Sequence, residues 1–204
     1  CDYRLEGEFQ VSAILRQLNT LQNTLAKFPD GFLKNLANGT KSGKLQICLV
    51  RSIADDTGSL SGLQTWENGE SYIILAVGST TEQAFCHQLS HAIDSRVIVE
   101  TKLYDDWNTL NPRGFQYGKQ DQNPNADYFI DNGCLVSAAD DRAIIFEYAM
   151  MENADYIFES AGIQAKLLRM CQGIRKAFGL KDATEIFPWE QYLDQVLAAP
   201  VPEA

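Results

Sequence analysis

Histidine is the scarcest chemistry-bearing residue in this chain. There are two, His87 and His91, and they stand four positions apart. On an α-helix, residues four apart lie about 40° apart around the axis and one turn up, so both imidazoles project from one face. Two neutral imidazoles on one face can grip a single metal ion. Zinc takes such nitrogens at about 2.0–2.1 Å and asks for at least one more protein ligand. In the zinc-peptidase pattern H-E-x-x-H, a glutamate after the first histidine takes a proton from metal-bound water. Gln88 stands there instead. Its amide does not titrate near neutral pH, so it can hold a water by hydrogen bonds but cannot act as a base. The bare H-x-x-x-H spacing also suits solvated or packed histidines, so the surrounding residues carry the weight.

Three blocks do so. His87-Gln88-Leu89-Ser90-His91-Ala92-Ile93-Asp94 is the first, Asp106 to Tyr117 (DWNTLNPRGFQY) the second, and Asp140-Asp141-Arg142-Ala143-Ile144-Ile145-Phe146-Glu147 the third. In this order they resemble the H-E-x-x-H-A-[IV]-D helix, the following segment and the E-D-R-A-x-x-F-E helix of the lethal-factor-like, gluzincin-type zinc metallopeptidases, a family with bacterial secreted and lipoprotein members. The likeness covers roughly 80–150 closely and the preceding hairpin loosely. It implies His87 and His91 as zinc ligands, Gln88 at the general-base position and Asp140 at the third ligand. Gly133 falls where the family carries an oxyanion-assisting tyrosine. Asp94, Asp141 and Arg142 match the family and are expected as supporting residues around the ligands or as structural ones. Glu147 competes with Asp140 as third ligand. Seven residues separate the two, about 10.5 Å along a helix, so both cannot reach one ion.

The departures from the family differ in severity. Aspartate for glutamate keeps the carboxylate on a shorter arm. Glutamine for the base removes help worth about 10²–10⁴-fold. Glycine for tyrosine removes an oxyanion donor worth about 10²–10³-fold. Three concordant changes fit natural degeneration better than a single engineered substitution. The expectation is therefore a zinc-metallopeptidase-like domain that is inactive or very weak and binds a peptide or protein. The alternative is an active zinc-dependent endopeptidase with an unorthodox site. A third reading is a metal-free interaction domain in which the histidines are relics.

Several elements must position these residues. Val11, Leu15, Leu18 and Leu25 recur at helical spacing, which predicts an amphipathic helix over roughly 6–27. A short helix follows Pro29-Asp30-Gly31. Leu45, Ile47 and Leu49 alternate as in a strand, and Leu63–Trp66 and Tyr72–Val77 flank Asn68-Gly69, the strongest short hairpin signal. The second of these strands is either a sheet edge able to pair with an extended peptide or an interior strand. From Thr81 the period becomes helical, with Phe85, Leu89, Ile93 and Val97 on one stripe. Residues 105–136 read as a long irregular excursion, then Ala138–Met151, Ile163–Phe178 and a last segment from Pro188 through Leu193 and Leu197 read as helices. The fold class is α+β: a small mixed sheet packed on the H-x-x-x-H helix, with further C-terminal helices. The resemblance makes this a zincin-like catalytic domain, and the absence of linkers or repeats makes residues 1–204 a single domain.

Composition excludes other classes. Lys plus Arg number 17 against 27 Asp plus Glu, a net charge of −10 over 204 residues, which repels phosphate backbones and anionic membrane surfaces. No apolar stretch is long enough to cross a bilayer. The five cysteines form no CxxC pair, so neither a thiolate zinc knuckle nor a disulfide scaffold is indicated. Cys86, beside His87, reads as a small packed residue. A leading Cys1 fits a lipid-modified residue left by a cleaved lipoprotein signal and fits an arbitrary cut in a longer chain equally well. On the first reading the domain is extracytoplasmic, secreted or lipid-anchored, and touches a membrane only through that lipid.

Overall fold

The switch from alternating to helical periodicity at Thr81 is present in the computed structural model, which describes residues 4–6, 11–56, 58–79, 81–119, 125–182 and 184–194. The order is β1 (Arg4–Glu6), α1 (Val11–Leu25), α2 (Phe32–Ala37), β2 (Leu45–Val50), β3 (Ser52–Asp55), β4 (Gly58–Leu60), β5 (Gly62–Glu67), β6 (Glu70–Ala76), α3 (Glu82–Glu100), α4 (Ala138–Ala149) and α5 (Ala161–Phe178). The class is α+β, with a small mixed sheet and several helices. The chain divides into two compact units, Cys1–Ala92 and Ile93–Ala204, and the division falls inside α3. Cys1 and Leu197 lie outside the described residues. Among the described residues no helix is long and apolar enough to cross a membrane.

In the first unit the mixed sheet has the order β2-β6-β5, with β2 parallel and β5 antiparallel to β6. Asn68 and Gly69 join β5 to β6 at φ 52° and 84°, the left-handed pair that a type I′ turn requires. Tyr72–Val77 resolves as the interior alternative: Tyr72 to Ala76 lie in β6, the central strand, and both its edges are paired. Ile73 and Leu75 on it are fully buried. A second, antiparallel sheet, β1-β3-β4, escaped the sequence reading because strands of three or four residues carry too few alternating positions.

The first helix corrects an expectation. It forms as α1, but Val11, Leu15 and Leu18 are exposed, at 70%, 57% and 47%, while Gln17, Leu21 and Thr24 are buried. Helical spacing gave the right period and the wrong face. The helix is rolled so that Gln17 is buried with its amide nitrogen lacking a partner among the described residues.

In the second unit, Ser160 caps α5 by accepting the Gly162 N–H, and Gly179 at φ 67° closes it in the left-handed conformation that favours glycine. The described residues between 105 and 136 are mostly irregular, with 3-10 turns at Trp107–Leu110 and Asn132–Leu135. Where the last helix is expected, the described residues, which end at 194, form one 3-10 turn, Pro188–Glu190. Its side-chain bonds dominate there: Arg175 of α5 grips Glu190 with two N–H···O contacts of 2.6 Å, and Trp189 is fully buried.

Candidate metal centre

Thr81 starts α3 by accepting the Ala84 N–H at 3.1 Å, satisfying one of the orphan donors of the first turn. Phe85, Leu89, Ile93 and Val97 are all buried to within 2% of full. At 100° per residue, positions 87 and 91 fall on roughly the opposite side of the helix from that stripe. His87 and His91 are accordingly half-buried. Their Nε2 atoms stand 3.2 Å apart, with ring planes at 80°. Gln88 is half-buried, and its Cγ lies against Gly62 at the start of β5, where an added Cβ would stand only 2.8 Å away. Cys86 is fully buried, as expected of a packing residue.

Asp140 occupies the first turn of α4, whose N-cap is Ser137. It is half-buried, and its Oδ2 accepts the Ser137 hydroxyl at 2.6 Å. His87, His91 and Asp140 each offer a ligand atom, and these atoms all lie within 4.8 Å of one another. Two imidazoles and a carboxylate are a donor set that zinc accepts. Glu147, the competing carboxylate, is buried and is not a member of that group.

Asp94 and Arg142 serve each other. The guanidinium donates to both Asp94 oxygens, from Nε at 2.5 Å and Nη2 at 2.8 Å, and its plane lies over the Tyr104 and Trp107 rings. This buried fork fastens the last turns of α3 to α4. Burial pushes the Asp94 carboxyl above its ordinary range, and the Arg142 hydrogen bond and charge pull against that.

Asp141, next to Asp140, is fully buried and lies in a different environment. Its Oδ2 accepts from Trp107 Nε1 at 2.9 Å, Tyr117 Oη at 2.6 Å and Lys166 Nζ at 2.7 Å. Lys166 also donates to the Tyr128 carbonyl and sits over the Phe129 ring. Burial lowers the Lys166 ammonium from its ordinary range, opposed by the Asp141 charge. The DWNTLNPRGFQY segment is thus tied to α4 and α5 through one acid.

Gly133, which the resemblance matches to a tyrosine, is closely approached by a neighbouring side chain. An added Cβ would meet Ile144 Cδ1 at 2.7 Å, and the Gly133 N–H is committed to Asp131 Oδ1 at 2.8 Å.

No family model, curated protein or solved structure matches this chain. The functional reading therefore rests on the residues themselves. Two contributors were missed in the sequence. Ser137 was legible as the S-x-x-D cap signal before α4. Lys166 was not, because its partner lies 25 residues away with no local pattern between them.

Proposed function

We propose that the chain is a zincin-like, zinc-metallopeptidase-type domain with a degenerate active site. His87, His91 and Asp140 would hold the metal, and the domain binds a peptide or protein without cleaving it at a useful rate. The observation that carries the reading is the 3.2 Å separation of the two Nε2 atoms. Two nitrogens bound tetrahedrally to one zinc at about 2.0–2.1 Å stand about 3.3 Å apart. A hydrogen bond between the rings gives a similar distance. The carboxylate of Asp140 at the same place favours the ion.

Bound zinc supplies Lewis acidity toward a carbonyl or a water. What this chain adds falls short of hydrolysis. Gln88 can orient a water through its amide but cannot take the proton. Gly133 brings no side-chain oxyanion donor. Asp94 and Arg142 fasten the helices rather than meet a substrate. The resemblance extends the proposal to an extracytoplasmic protein. The acidic surface argues against a nucleic-acid partner.

Titration calorimetry with zinc on wild type and on His91→Ala tests the reading. Wild type is expected to bind measurably and the variant to lose that heat. Identical isotherms would reject the site. Chelator-sensitive peptide hydrolysis that His87→Ala abolishes would reject the inactive state.

A further inference from the structure

We infer that the DWNTLNPRGFQY segment and α4 enclose a binding site for one internal water molecule, held between Asn111 Oδ1 and Asp141 Oδ1. The site lies wholly in the second compact unit and does not depend on the proposed metal centre. It starts from these two atoms. Both oxygens are buried, and neither has a hydrogen-bond partner among the described residues. Asp141 as a whole is fully buried, and Asn111 is half-buried. A buried acceptor left without a partner costs the full desolvation of that group, so native folds supply one from the chain or from ordered water.

The nearby donors are already spent. A phenol carries one proton. Tyr117 Oη lies 2.6 Å from Asp141 Oδ2, a carboxylate oxygen that can only accept, so the proton goes there. The 2.9 Å contact of the same phenol with Asn111 is then an amide N–H donated to Tyr117. That places Asn111 Nδ2 on the phenol and leaves Oδ1 as an acceptor. The single indole N–H of Trp107 is given to Asp141 Oδ2. Lys166 gives protons to Asp141 Oδ2 and to the Tyr128 carbonyl, and its ammonium lies over the Phe129 ring. One network, joined through Tyr117, therefore holds two acceptors in need of a donor. That donor is neutral: the Lys166 ammonium already balances the Asp141 charge, and a second cation would be buried without a counter-charge. Water meets the need. It gives one proton to each oxygen, and internal waters make about 2–4 hydrogen bonds. The bridge gives Trp107, Asn111 and Tyr117 one joint task, which is to fasten their segment to both oxygens of a single acid on α4.

The test is a crystal structure of the wild-type protein that shows ordered water, joined to oxygen-17 relaxation dispersion on wild type and Asn111→Leu in solution. A density peak within hydrogen-bond distance of both oxygens, about 2.5–3.0 Å, is expected. Asn111→Leu keeps the size of the side chain and removes the acceptor, so the dispersion should lose the amplitude of one long-lived water. No peak at the two oxygens overturns the inference, as does a peak bound to only one of them. A peak that scatters anomalously after rubidium replaces sodium is a cation and overturns it too. Equal dispersion amplitudes in the two proteins show that Asn111 holds no water, with the same consequence. Should Asn111→Leu fail to fold, the wild-type density decides alone.

Discussion

Asp140 and Asp141 are consecutive residues in the first turn of α4, and their surroundings are opposites. Asp141 is fully buried, with an indole, a phenol and an ammonium all directed at one oxygen. Asp140 is half-buried, held at one oxygen by a serine and grouped with two imidazoles. The first has its charge compensated inside the protein, with a lysine ammonium 2.7 Å away. The second belongs to a group of side chains that could hold a cation. The contrast separates scaffold from candidate site more clearly than residue type does. In a buried cluster, three internal donors on one oxygen mark an acid as structural. A carboxylate grouped with imidazoles makes it a candidate ligand.

The largest way to break the comparison is to open the closed cluster. Lys166→Met leaves Asp141 charged and buried without its cation. Removing one partner of such a pair costs about 3–5 kcal/mol. Urea unfolding should show that loss. Zinc affinity measured on protein that remains folded should stay at the wild-type level, because Lys166 belongs to the scaffold cluster. A variant with unchanged stability would show that the lysine does not compensate Asp141.

A smaller effect concerns the missing oxyanion donor. Gly133→Ala forces a Cβ against Ile144, which is itself packed with Phe129 and Cys134. Overpacking of this kind costs about 1–3 kcal/mol. Ile144→Val removes the opposing Cδ1, so the double variant should recover part of the loss. Strict additivity of the two changes would show that the sites do not touch.

The smallest effect is a slope with pH. Burial, followed by the Asp141 charge, pushes the Cys134 thiol from its ordinary 9.0 up to about 12. In the unfolded chain the thiol ionises first, so the folded state retains its proton longer. The associated stability is fully present below pH 9.0 and is lost between there and about 12. One such proton corresponds to about 1.4 kcal/mol per pH unit. Cys134→Ala should flatten the alkaline decline of unfolding free energy by up to that slope. An unchanged slope would show that the thiol ionises equally in both states.

The pattern of successes and corrections has a common cause. The stripe Phe85, Leu89, Ile93 and Val97 was legible because α3 follows a helical period and that stripe is its buried face. The Asn68-Gly69 hairpin and the Gly179 helix end were legible because left-handed backbone selects those residues locally. The face of α1 was not, since Leu21 sits beside the exposed leucines on the helix and only packing decides which of them is covered. The 3-10 turn at Pro188–Glu190 was not, because its Glu190 is held by Arg175, 15 residues away in the chain.

At the site the division runs the same way. Two histidines four apart on a helix must share a face whatever the tertiary fold, and a glutamine between them cannot be a base in any fold. Both follow from covalent chemistry and helix geometry, so sequence alone determined them. Which acid joins the histidines did not follow. Asp140, Asp141 and Glu147 are one chemical class within eight positions of a helix, and only the packed structure gives the second to Lys166 and leaves the first as the candidate ligand. The interior place of β6 was also decided there, by pairing with β2 across a crossover that no local pattern encodes. Local geometry depends on near neighbours in the chain. Partner choice depends on which side chains arrive from far away, and that is settled only when the core closes.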